Sequence, residues 1–154
     1  MKTLISYFSA TGVTRKVAEY LSEILSADLY EIEPVEKYTQ ADLDWMDEDS
    51  RSSLEMKDQS ARPAIREKDF SLEPYDHIII GFPVWWYTAP MIIRTFIEEN
   101  HLEGKKLDVF VTSGSSGVEK CLEDLKKEYP NLNWNKGRRL TGSESEDEIR
   151  SWLS

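Results

Sequence analysis

Cysteine is nearly absent from this chain: one residue, Cys121, in 154. A single thiol excludes an internal disulfide and fits a reducing, cytoplasmic setting. Long apolar runs are missing too; none approaches the ~20 residues that a bilayer-spanning helix requires. Residues 1–8 run straight into strand-like sequence, with no secretory leader pattern. Positive charge is in deficit, 19 basic residues against 29 acidic, for a net charge of −10. That balance argues against nucleic acid or an anionic membrane as a partner, and for proteins with a basic docking face. Histidine is scarce, and His77 and His101 are too far apart to suggest a metal pair. What remains, 40% hydrophobic and 31% charged residues, is the composition of one soluble globular domain with a single core. No repeat, low-complexity tract or second domain is visible.

Apolar runs of strand length alternate with stretches of helical period. Residues 3–8 read as a first strand, followed by a helix over 13–26 with Val13, Val17, Leu21, Ile24 and Leu25 on one face. Residues 28–33 read as a short second strand. The third, 77–82, is continuously apolar after His77, as a parallel strand covered on both sides should be. Pro90 suits the first turn of a helix that sends Ile92, Ile93, Phe96 and Ile97 inward. A fourth strand over 107–112 precedes a helix over 117–128 with Val118, Cys121, Leu122 and Leu125 on one face, so Cys121 reads as a buried, inert thiol. His101 reads as a contact to a helix C-terminus. A fifth strand, around 132–140, is interrupted by Gly137 and two arginines. Ser143-Glu144-Ser145-Glu146 reads as a capping box that starts a last short helix, with Ile149, Trp152 and Leu153 inward. The alternation predicts an α/β fold of three layers around a doubly wound, five-stranded parallel sheet of order 2-1-3-4-5. Residues 34–75 are long and polar for a connection. A short helix is expected near 40–46, amid Asp42, Asp44, Asp47, Glu48 and Asp49.

The most informative segment joins the first strand to the first helix: Phe8-Ser9-Ala10-Thr11-Gly12-Val13-Thr14. The first N–H groups of a helix lack intrahelical partners and carry partial positive charge, so such a turn can hold a phosphate. Gly12 removes the Cβ where backbone must approach a ligand closely. Ser9, Thr11 and Thr14 can donate O–H bonds to phosphate oxygens. No lysine or arginine lies within the loop, which separates it from the P-loop of nucleotide triphosphatases. Thr11 alone reads as readily as an N-cap; three spaced hydroxyls around one glycine are poorly explained by capping.

Two further loops complement the first. Pro83-Val84-Trp85-Trp86-Tyr87-Thr88-Ala89-Pro90 follows the third strand, and Ser113-Gly114-Ser115-Ser116-Gly117 follows the fourth. In a sheet of order 2-1-3-4-5 the first, third and fourth strands are neighbours, and loops at their carboxyl ends converge where ligands bind. The first loop suits a phosphate. The second offers three consecutive aromatics to a flat heteroaromatic ring. In the third, small and glycine-rich, backbone at Ser113, Gly114 and Gly117 can reach the ring's polar edge. Together they describe flavin mononucleotide (FMN). Singly, Trp85 or Trp86 reads equally as a core or interface residue. In an extended loop Trp85 and Tyr87 share a side, so one of the two is expected against the ring. A Cys-x5-Arg phosphatase loop and the acidic residues of a response-regulator receiver are both missing after the first strand.

Ser9-Ala10-Thr11-Gly12-Val13-Thr14 matches the flavodoxin signature Ser/Thr-x-Thr-Gly-x-Thr at every fixed position. Residues 49–65 and 83–97 are similar to those of small bacterial members with a Pro-Val-Trp-Trp ring loop. The chain thus resembles the short-chain flavodoxins over nearly its whole length. The resemblance implies tight, non-covalent FMN and electron transfer through it between redox partners, with no protein acid, base, nucleophile or metal. The loop after the fourth strand lacks the aromatic that many flavodoxins place on the second ring face. That departure favours an alternative on the same fold, an FMN-dependent NAD(P)H:quinone oxidoreductase; the small size and acidic surface favour the shuttle. A third reading is an interaction module without flavin. A carboxylate ~10 Å from the ring, at an effective dielectric of ~20, is worth on the order of 1.4 kcal/mol, or ~59 mV for one electron. A few such carboxylates would lower a flavin potential substantially.

Overall fold

The computed structural model describes residues 1–154. Its elements are β1 (Thr3–Tyr7), α1 (Val13–Leu25), β2 (Asp28–Glu31), α2 (Arg51–Lys57), β3 (His77–Pro83), α3 (Met91–Glu99), β4 (Lys106–Thr112), α4 (Glu119–Glu128), β5 (Asn133–Arg139) and α5 (Glu146–Leu153). The strands form one sheet of order β2-β1-β3-β4-β5, every pair parallel. This is the flavodoxin-like order that the alternation predicts. No helix is long and apolar enough to cross a membrane.

Strand alternation divides the core in two. Ile5, Tyr7, Ile79 and Phe110 pack with Val17 and Leu21 of α1 and with Ile149 and Trp152 of α5. Leu4, Ile78, Ile80 and Val109 pack with Ile92 and Phe96 of α3 and with Cys121 and Leu125 of α4. The second cluster is the larger, 20 buried residues against 10. Part of the reason is that α3 is buried over the whole run from Met91 to Ile97, including Arg94 and Thr95, which a one-sided apolar stripe does not foretell. Where β3 and β4 pair, the Phe110 ring lies over Gly81, so that a Cβ on Gly81 would stand 2.0 Å from a ring atom. Gly81→Ala is therefore expected to cost about 1–3 kcal/mol by overpacking, seen as a lower urea midpoint at an unchanged m-value.

Residues 34–75 pack as a covering excursion. Pro34 and Ile65 form an antiparallel bridge, and the Val35 N–H donates to Ala64 (2.9 Å). The helix expected near 40–46 is absent; the segment is a series of turns. Thr39 and Asp42 each accept the other's N–H through their side chains, and Asp44 and Asp47 accept from Met46 and Asp49. Short oxygen-bearing side chains compete here for the N–H groups a helix would need. The helix forms later, as α2, where Ser50 caps Ser53. The final capping box also shifts by two residues: Ser145 and Glu148 make it, while Glu144 accepts from the N–H groups of Thr141 and Gly142.

β5 accommodates Gly137 through a bulge, in which Asn135 and Lys136 together oppose Asp108. Asp108 is fully buried. Its Oδ1 accepts from Asn135 Nδ2 (2.9 Å) and the Lys136 N–H (2.8 Å), and its Oδ2 lies 2.6 Å from His77 Nε2. His77 Nδ1 in turn meets the Thr3 hydroxyl at 3.1 Å. One carboxylate thus ties β3, β4 and β5 together.

Candidate functional site

The carboxyl ends of β1, β3 and β4 open onto one cavity of about 860 Å³. Ala10, Thr11, Val13 and Thr14 line it from the first loop, residues 83–87 from the second, and Ser113 and Gly114 from the third. Ser9 and Gly12 face an adjoining polar cavity of about 370 Å³. Gly117 is on neither wall, and the Glu119 carboxylate fills the space a Cβ there would take.

Gly12 is the N-cap residue of α1 with φ 97°, a left-handed conformation that costs other residues about 1–2 kcal/mol. The Ser9 hydroxyl accepts from the N–H groups of Gly12 (3.1 Å) and Arg15 (3.2 Å). The N–H groups of Ala10, Thr11, Val13 and Thr14 have no acceptor in the chain. Four unmatched donors at a helix N-terminus make an anion site. Thr14 is turned inward, its hydroxyl 2.8 Å from that of Thr112, so one proton of the pair is free for another acceptor. Arg15, the nearest cation in sequence, is held by Glu31 at 2.6 Å.

The aromatic loop is not extended. Trp85 and Thr88 exchange both backbone hydrogen bonds at 3.0 Å, and the two residues between them are left-handed, Trp86 at φ 49° and Tyr87 at φ 65°. This is a type I′ turn built without glycine or asparagine, and such strain persists only where the surroundings enforce it. They do so here. Arg94, buried on α3, donates to the Ala89 carbonyl and to both oxygens of Glu128 (3.0 and 2.9 Å). Thr88 donates to Asp124 on α4 (2.7 Å), and the Cys121 thiol lies 3.7 Å from the Tyr87 carbonyl. The chain reverses here, so the extended spacing behind the pairing of Trp85 with Tyr87 does not apply, although both residues line the cavity. Trp85 packs edge-on against Phe8 (5.6 Å) and Tyr38 (5.3 Å), while Trp86 and Tyr87 sit at the exposed tip. Burial pushes the Cys121 thiol up to about 11, so it stays protonated and unreactive.

The third loop is held from β5. Arg139 Nε donates to the Ser113 hydroxyl (3.1 Å), and its Nη2 donates to the carbonyls of Ser113 (3.0 Å) and Gly114 (2.9 Å). One of the arginines that interrupt the strand pattern is therefore the clamp on this loop. The cavity also takes in Leu43, Trp45 and Ser52 from the excursion, and Leu140 and Thr141 after β5. Sequence pattern alone does not assign these. The available signal was Trp45-Met46, two large apolar residues in the most acidic stretch of the chain.

A model of the flavodoxin family matches residues 2–154. A candidate flavoprotein from Bacteroides eggerthii is 49% identical, covering 99% of this chain and 95% of its own, with a TM-score of 0.95. A Lactobacillus acidophilus flavoprotein, solved in complex with FMN, is 25% identical over 99% of both chains, with a TM-score of 0.76. Oxidised flavodoxin 2 of Bacillus cereus has the same fold at 20% identity, over 99% of this chain and 94% of its own, with a TM-score of 0.53. No curated protein matches the chain.

Proposed function

The chain belongs to the flavodoxin family, and from that premise we propose that it holds FMN non-covalently and carries electrons through it between protein partners. One observation carries the proposal: the unmatched N–H donors of the first loop and the aromatic turn line the same cavity. The N–H groups of Ala10, Thr11, Val13 and Thr14 would take the phosphate, with the α1 dipole supplying the positive potential. Trp86 and Tyr87 would lie against the ring, and backbone at Ser113 and Gly114, fixed by Arg139, would meet its polar edge. When bound, the flavin supplies the redox chemistry. The chain orients the ring, keeps water from part of it and sets the surrounding field. Asp44, Asp47, Glu48 and Asp49 are exposed around Trp45. They disfavour added negative charge nearby and offer an acidic face to a basic partner.

Titration of FMN with the apoprotein tests this directly. Quenching of flavin fluorescence at one FMN per chain is expected, with visible flavin absorption in the complex. A colourless protein that leaves FMN fluorescence unchanged overturns the proposal. The open mouth, where Trp45 and Tyr87 are each 71% exposed, favours a second reading in which a small acceptor reaches the ring and the protein is an NAD(P)H:quinone oxidoreductase. NADPH oxidation with a quinone and no partner protein supports that reading. Reduction only through a reductase partner supports the shuttle.

A further inference from the structure

We propose that the 34–75 excursion supplies a second wall of the flavin site, with Trp45 packing against the ring and Ser52 hydrogen-bonding to it; this rests on the FMN reading above. Ser52 lines the cavity, is 1% exposed, and its hydroxyl has no hydrogen-bond partner. An unpartnered buried hydroxyl is costly, and the other buried hydroxyls of this wall, Thr14 and Thr112, pair with each other. Ser52 is the second residue of α2, so it has no helical carbonyl one turn back to which its hydroxyl could donate. Its neighbours Ser50 and Ser53 pair together (2.9 Å), and its own N–H is used by the Asp42 carbonyl (3.0 Å). Among the buried side-chain polar atoms of the cavity wall, this hydroxyl is the one with no partner at all.

Trp45 supplies an independent observation. Its indole is 71% exposed, yet it lines the same cavity as Trp86 and Tyr87. A large apolar ring left in water at the rim of a cavity gains from a flat partner that covers it. The loop at 113–117 has no aromatic of its own, so the excursion provides the aromatic contact that loop cannot. This wall is fixed to the rest of the site. The Arg51 guanidinium lies 3.8 Å over the Tyr38 ring and donates to the Glu36 carbonyl (2.7 Å) and to Glu55 (3.0 Å). Tyr38 packs on Trp85, the residue that opens the aromatic turn. The ligand class is a planar heteroaromatic ring with hydrogen-bonding atoms on its edge.

The test is FMN titration of the wild-type apoprotein and three variants, followed by flavin fluorescence, with apoprotein melting temperatures alongside. Trp45→Ala is expected to weaken binding about tenfold and to change the visible circular dichroism of the bound flavin, with Trp45→Phe restoring most of the affinity. Ser52→Ala is expected to weaken binding about fivefold while the apoprotein melts at the same temperature or higher, since an unsatisfied hydroxyl is removed. A purely structural serine would lose stability instead. If the wild type binds FMN and both alanine variants bind within twofold of it, this inference is overturned and the FMN reading stands. A lower melting temperature for Ser52→Ala with unchanged affinity also overturns it. If the wild type leaves FMN fluorescence unchanged, both fail.

Discussion

Thr11→Asp is expected to cost about three orders of magnitude in FMN affinity while leaving the apoprotein as stable as before, or slightly more so. A phosphate monoester carries about −1.5 to −2 charges at neutral pH. Like charges ~4 Å apart at an effective dielectric of ~20 repel by ~4 kcal/mol per unit charge. At ~1.4 kcal/mol per decade, one such unit is already close to a thousandfold. The new carboxylate would also compete for the free N–H groups of Val13 and Thr14. For the fold the sign is opposite. Thr11 is exposed and immediately precedes the N-cap of α1, where an acidic side chain adds about 0.3–1 kcal/mol against the helix dipole. Riboflavin, which lacks the phosphate, should lose little, separating charge repulsion from a collapsed loop. An aspartate variant that binds FMN within tenfold of the wild type would place the phosphate elsewhere.

Asp108→Ala is expected to destabilise the protein by about 3–5 kcal/mol at pH 7, the range for removing one partner of a buried pair. The substitution strands the His77 imidazole, the Asn135 amide and the Lys136 N–H at once. Burial alone would raise the Asp108 carboxyl, but hydrogen bonds from His77, Lys136 and Asn135 overcome it and hold the group below the usual aspartate range. A carboxyl depressed in this way contributes stability above its unfolded pKa of ~3.9 and loses it as pH falls through the folded value. The wild-type urea midpoint should therefore fall between about pH 5 and pH 3, and the variant's midpoint should fall less over the same interval. The difference between the two curves isolates Asp108 from the other carboxylates. Coincident midpoints at pH 7 would mean that the pair contributes nothing.

The parts of this structure legible in the sequence are those that depend on near neighbours. Sheet order follows from the alternation of apolar runs with helical periods, and the first loop is written in six consecutive residues. The features that escaped depend for the most part on partners distant along the chain. The turn at Trp86-Tyr87 uses residue types that disfavour left-handed backbone, so its conformation is imposed by Arg94 and Asp124, on helices later in the chain. Asp108 and Arg139 look like flaws in strand patterns until their partners in β3, β5 and the third loop are placed. In residues 143–148 two overlapping Ser-x-x-Glu frames compete, Ser143 to Glu146 and Ser145 to Glu148; the Ser143 hydroxyl is engaged by Thr141 and the Glu146 carboxylate by Arg150, and the second frame caps the helix. Trp45 and Ser52 reach the cavity only through the folded path of 34–75, which has no periodicity to read.

The bulge that Asp108 holds open has a consequence for what happens between molecules. β5 borders the sheet, and a regular border strand offers its unpaired N–H and C=O groups to any passing chain as a template for cross-β growth. Here Asn135 and Lys136 stand opposite a single residue, so the spacing of those groups is broken and the edge twists away. Lys136, Arg138 and Arg139 add like charges along the same strand. At the far border β2 spans only four residues, Asp28–Glu31. Neither margin is a long, flat, uncharged ribbon, and colloidal solubility at high protein concentration is thereby built into the backbone as well as into the net charge.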